Sequence, residues 1–181
     1  MAWTTPRTWV GGETLTASNY NTHIRDNLNA LGPHLIVRKS ADESVTSNTT
    51  LQDDNHLILP VVANEIYRVE FLVIFSGANG TGDIKIAFTF PSGGRIDVSA
   101  LAANTGGSFS TESYISSSTS PTAGNAFNGR GTSVRVAMPI VGIFTTGGTG
   151  GNLTLQWAQN TSSATATTVY ANSTLYAVKL A

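Results

Sequence analysis

Residues 66–90 read IYRVEFLVIFSGANGTGDIKIAFTF. Tyr67, Val69, Phe71, Val73 and Phe75 alternate with Arg68, Glu70, Leu72 and Ile74. A period of two places one set on each face of a β-strand. The second half of this strand is apolar on both faces, so it belongs in a central position or under a neighbour. Ile84, Ile86, Phe88 and Phe90 repeat the pattern against Lys85, Ala87 and Thr89. Between the two strands lies GANGTGD (77–83), whose glycines and Asn read as a hairpin connection.

The same alternation recurs outward from this stretch. Leu153, Leu155 and Trp157 alternate with Thr154, Gln156 and Ala158, which places Trp157 in the core. Tyr176, Val178 and Leu180 alternate with Ala177 and Lys179. Further strands are expected near 35–39, 57–62, 95–101 and 134–144. PSGG (91–94), TGG (105–107) and TTGGTGGN (145–152) punctuate them as turns. Residues 104–133 are rich in Ser, Thr, Asn and Gly and read as a long exposed loop, with one short strand near Phe109–Ile115. Many short strands with Gly-rich turns predict an all-β fold, a jelly-roll-like β-sandwich of about eight to ten antiparallel strands, over residues 34–181.

Residues 1–33 follow different rules. Thr16 is placed to cap a helix over Ala17–Leu31, Gly32 supplies the left-handed position after it, and Pro33 stops it. Tyr20, Ile24, Leu28 and Leu31 form one narrow apolar stripe on this helix. A helix of this length is marginal alone and needs something to dock on. Ahead of it, Trp3 and Trp9 lie in an arm with no helix or strand pattern, followed by Gly11-Gly12 as a hinge. Large aromatics in such a segment read as anchors, because aromatic residues dominate interface energetics. The alternative is that they fold back onto their own chain. The residues assigned to attachment are Trp3, Pro6, Trp9, Tyr20, Ile24, Leu28 and Leu31.

Composition excludes several functions. The 181 residues carry a net charge of −1 and only 12% charged side chains. No basic cluster exceeds Arg38-Lys39, so nucleic-acid binding is not expected. No apolar run approaches the roughly 18 residues that span a bilayer, and residues 1–30 lack the pattern of a secretory signal. There is no cysteine, so disulfides and thiolate metal sites are absent.

No catalytic constellation stands out. The histidines are His23, His34 and His56, none in a nucleophile-elbow context, and they read as solvated or capping groups. Asp53-Asp54 reads as a turn before a strand starting at Leu57, and Asp42-Glu43 likewise. Adjacent residues on a strand point to opposite faces and would not share a proton. The glycine clusters lack the Lys-Ser/Thr of a phosphate-binding loop and precede strands. No enzyme activity, cofactor or metal is expected.

Two stretches resemble known families. Trp3 to Leu28 follows W-T-x-P-x-T-W-V-x-G-E-x-L-T-A-x-x-x-N-x-x-I-R-D-N-L, which resembles the N-terminus of many small virion structural proteins of tailed bacteriophages. LTLQWAQNTSSATATTVYANSTLYAVKL (153–180) resembles in layout the closing hairpin of trimeric jelly rolls of the TNF/C1q type, whose last strand lies at the trimer axis. The resemblances imply a homotrimeric capsid decoration or head-fibre module on the particle surface, made in the host cytoplasm. Its partners would be the major capsid protein or tail proteins, with neither nucleic acid nor membrane. The alternative they leave is a tail appendage that binds a host receptor, using loops 104–133 and 145–152. A cell-wall or polysaccharide hydrolase is a third reading and lacks its pair of acids.

Overall fold

A computed structural model describes residues 4–30, 34–77, 83–103 and 109–180. The chain divides into two compact units, residues 1–34 and 35–181. The larger is built from strands β1 (His34–Arg38), β2 (Glu43–Val45), β3 (Gln52–Val61), β4 (Ile66–Gly77), β5 (Ile84–Thr89), β6 (Arg95–Ala103), β7 (Phe109–Ser117), β8 (Asn125–Phe127), β9 (Gly131–Thr145), β10 (Gly151–Gln159), β11 (Thr167–Val169) and β12 (Thr174–Lys179). The large sheet runs β1-β12-β4-β9-β6-β7, with β11 beside β4 and β2 beside β11. The small sheet runs β3-β10-β5-β8. Both sheets are antiparallel, and the two together make the jelly-roll-like sandwich that the alternation predicts.

The chain reaches this fold by changing sheets repeatedly. β4 lies in the large sheet and β5 in the small one, so GANGTGD does not close a hairpin but carries the chain between sheets. Residues 78–82 of it lie outside the described residues. The connections at 91–94 and 145–152 are crossings of the same kind. These last two meet: a Cβ on Gly147 would come within 2.6 Å of the backbone of Gly93, which requires glycine at 147, and Gly93 has φ +78°, which favours glycine at 93. Turn residues announce that the chain reverses, but not which sheet receives it.

The core lies between the sheets. Tyr67, Val69, Phe71, Val73 and Phe75 of β4 all point inward and are closed to solvent, as their alternation requires. They meet Ile84, Ile86 and Phe88 of β5 and Leu153, Leu155 and Trp157 of β10. The Phe71 and Phe88 rings lie 4.9 Å apart, and those of Phe90 and Phe144 5.4 Å apart, both in tilted contacts. Each such ring contributes about 1.5–3 kcal/mol of burial. β4 is central, between β12 and β9, which is why its second half is apolar on both faces.

The structure departs from the sequence pattern at three places. In β12 the buried residues are Leu175 and Ala177, whereas Tyr176 and Val178 are on the outer, half-buried face. The larger side chains look away from the core. Residues 104–133 contain all of β7 and β8 and the start of β9, so the segment is not one long loop. β7 and β8 are polar because they lie at sheet edges, where alternation is weak. Asp53 and Asp54 lie within β3 and not in a turn ahead of it. The pairing register with β10 slips just there, between Ile58↔Thr154 and Asp53↔Gln156, so turn chemistry is built into the strand as a bulge.

The N-terminal unit holds one helical run over residues 17–30. An α-turn (Ala17–Tyr20) passes into a π-turn (Asn21–Arg25) and returns to α-helix (Asp26–Ala30). Thr16 caps it as expected: its side chain accepts a hydrogen bond from the Asn19 N–H at 3.2 Å. Leu31, Gly32 and Pro33 lie outside the described residues. Gly11-Gly12 forms a closed turn in place of a hinge. Glu13 N–H donates to Val10 C=O at 3.1 Å, and Gly12 has φ +83°.

Candidate interaction surfaces

The arm of the N-terminal unit is fastened to the helix by one buried polar residue, Asn27. Its amide mimics a strand edge. Thr4 N–H donates to Asn27 Oδ1 at 2.9 Å, and Asn27 Nδ2 donates to Thr4 C=O at 2.8 Å and to His23 C=O at 3.2 Å. Both backbone groups of Thr4 are thereby satisfied. Trp9 stands edge-on to the His23 ring, centroids 6.4 Å apart, with the Arg7 guanidinium 4.8 Å over its own ring. Arg7 is in turn paired with Glu13. Trp9 therefore packs on its own helix and leaves 40% of its surface exposed.

The predicted attachment residues are placed as follows. Trp3 and Leu31 lie outside the described residues. Pro6, Tyr20 and Leu28 are exposed, and Ile24 is half-buried. Leu15 and Val10, also exposed, add to this apolar surface. Asn27 was not legible in advance. It sits among other asparagines, and nothing in its spacing sets it apart.

A second apolar surface is the outer face of the large sheet. Leu72, Val141, Ile143 and Leu101 are exposed there, and Tyr114 is 76% exposed. A groove of about 300 Å³ crosses β12, β4 and β9. Leu72, Pro139, Val141 and Tyr176 line it, with Glu70 and Thr174. The rim is polar: Arg68 pairs with Glu70 at 2.6 Å, and Arg95 with Asp97 at 2.8 Å. The hydrogen bonds from Arg95 and then Ser116 hold the Asp97 carboxyl below its ordinary value of 3.8. An apolar centre with a charged rim is the composition of an interface.

Beneath the other edge lies a buried charge cluster. Lys39, fully buried, places Nζ 2.7 Å from Glu43 Oε2, 2.7 Å from Asp54 Oδ2 and 3.5 Å from His56 Nδ1. Asp54 is fully buried as well, and its Oδ2 also accepts from the Trp157 indole at 3.2 Å. Glu43, Asp54 and His56 are residue types that hold metals, but here the lysine ammonium stands among them. His56 is thus neither a simple capping group nor a solvated one. Asp53 points to the opposite face, where its carboxylate accepts from Gln156 at 2.9 Å. The two acids do not share a proton. Asp83, in contrast, has its pKa raised by burial, against the Gly129 N–H that donates to it at 2.8 Å. No helix among the described residues is long and apolar enough to cross a membrane.

No family model matches the chain, and no curated protein matches it. Among solved structures it is similar to a chain of infectious bursal disease virus, Gt strain, at 10% identity and TM-score 0.44. That match covers 81% of this chain and 32% of the viral one. It is also similar to a chain of the tripod from the baseplate of bacteriophage Tuc2009, at 11% identity and TM-score 0.36, covering 99% and 77%. A third is the VP2 subviral particle of infectious bursal disease virus, at 10% identity and TM-score 0.23, covering 82% and 42%. The chain thus spans about a third of the length of the first of these.

Proposed function

We propose that this chain is a virion structural protein of a tailed bacteriophage, a surface-exposed homotrimeric decoration or head-fibre module. Its N-terminal unit attaches it to the particle, and its sandwich forms the projecting body. The observation that carries this reading is the split use of apolar side chains. The sandwich buries a complete core, while a separate unit keeps Trp9, Tyr20 and Leu28 exposed. The resemblance of residues 3–28 to phage virion leaders supports the same role. The groove over Leu72, Val141 and Tyr176 supports association of sandwiches through the large sheet. The protein acts by binding. A subunit that binds only assembled shell stabilises that shell by mass action.

The test is imaging of intact particles. Many copies at local three-fold positions of the capsid are expected. A few copies at a tail tip would replace this reading with a receptor-binding appendage. Absence from the particle would overturn both.

A further inference from the structure

We propose that the side chains of Lys39 and Asp54 are joined by an intramolecular isopeptide bond, formed with Glu43 as the proton carrier. Lys39 follows β1 of the large sheet, and Asp54 belongs to β3 of the small sheet. The bond would therefore staple the two sheets together. It stands apart from the particle-attachment reading.

The reacting groups are already in contact. Nζ lies 2.7 Å from Asp54 Oδ2, and both side chains are sealed from solvent. The lysine backbone is fixed on both sides: its N–H donates to Ser173 C=O at 2.8 Å, and its C=O accepts from Asn172 N–H at 2.8 Å. Amine and carboxyl held in such contact reach effective molarities of about 10⁵–10⁸ M.

Asp54 is set up as an acyl group. Its Oδ1 accepts the backbone N–H groups of His56 and Leu57, each at 2.9 Å. Two donors on one oxygen stabilise the charge that develops there when the carbonyl carbon is attacked. Oδ2, the oxygen that must leave, faces Lys39 and the Trp157 indole.

Glu43 is held at the reacting nitrogen. Its Oε2 lies 2.7 Å from Nζ, while Oε1 accepts from Asn55 Nδ2 at 2.9 Å. Its side chain is 15% exposed, which gives the site one outlet to water.

The step balances without any co-reactant. The ammonium passes one proton to the Asp54 carboxylate, which leaves an amine and a carboxylic acid. This replaces a buried ion pair, itself expensive to desolvate, by two neutral groups. The amine lone pair attacks Cγ and the C–N bond forms. Glu43 takes a proton from the nitrogen and delivers it to the Oδ2 hydroxyl. The C–Oδ2 bond breaks, and water departs past Glu43. Glu43 ends as the carboxylate it began as.

The experiment is the intact mass of the purified full-length chain, with peptide mapping. The expected mass is one water below that of the sequence, with a branched peptide joining the segments that hold Lys39 and Asp54. Lys39→Arg should restore the full mass. Glu43→Gln, which keeps the size of the side chain but cannot carry the proton, should also stay unlinked. A folded wild-type chain at full sequence mass overturns the proposal, as does a water loss mapped to other residues. A branched peptide that persists in Glu43→Gln overturns the role of Glu43.

Discussion

In the sandwich, Phe71, Phe88 and Trp157 are shut off from solvent, with 0–1% of their surface exposed. In the N-terminal unit, Trp9, Tyr20 and Leu28 are 40%, 48% and 64% exposed, and among the described helix residues the buried one is Asn27. The first unit is held by apolar burial between two sheets. The second is organised by hydrogen bonds around Asn27 and by an aromatic contact at its edge. Apolar burial carries most folding stability, so the sandwich has its own and the N-terminal unit has little. A short helix that leaves Tyr20 and Leu28 exposed gains stability from what it docks on.

This contrast can be broken from either side. The largest effect is expected at Gly142 in β9. A Cβ there would lie 2.0 Å from Asp97 O and 2.6 Å from Val98 Cα, both backbone atoms of β6. Gly142→Ala should cost more than about 4 kcal/mol, read as a collapse of the denaturant midpoint. A near-wild-type midpoint would mean the large sheet is not paired as described. Next, Phe71→Ala removes a ring that packs on Phe88, and should cost about 3–5 kcal/mol in the same measurement.

Asn27→Ala acts on the other unit. It removes all three hydrogen bonds that tie Thr4 and His23 to Asn27 and should cost that unit about 1–3 kcal/mol. Amide exchange at Thr4 should accelerate while the midpoint of the sandwich stays put. A fall in the sandwich midpoint would show that the two units are not energetically separate.

The smallest effect concerns Asp97. Its folded carboxyl is held below 3.8 by Arg95 and Ser116, so it favours the folded state above the unfolded value and loses that contribution as pH falls through the folded one. The group is largely exposed, so the effect is slight. Asp97→Asn should lower the melting temperature slightly near neutrality, and the difference from wild type should vanish as pH falls below the folded value, which flattens this part of the acid limb.

The alternation of β4, β5 and β10 was legible because one face of each meets the opposite sheet. β12 misled for a physical reason. Tyr176 and Val178 are larger than Ala177, but they lie on the outer face beside the groove. Side-chain size marks a buried face, yet it does not say whether the burial is inside one chain or between chains. The helix and its cap were also plain from Thr16 and the stripe. The Lys39 cluster was not, since Lys39, Glu43, Asp54 and His56 come from separate segments that only the sandwich brings together. A charged residue in sequence reads as surface until a partner is seen beside it. Asn27 was hidden similarly, because its partner Thr4 is 23 residues away.

The most direct test of the central claim compares particle binding by the full chain and by a chain lacking residues 1–34. Sedimentation should first show the truncated chain folded and in the same oligomeric state as the full chain. The account then predicts that the full chain decorates particles and the truncated one does not. Normal occupancy by the truncated chain would contradict it, and would place attachment in the sandwich.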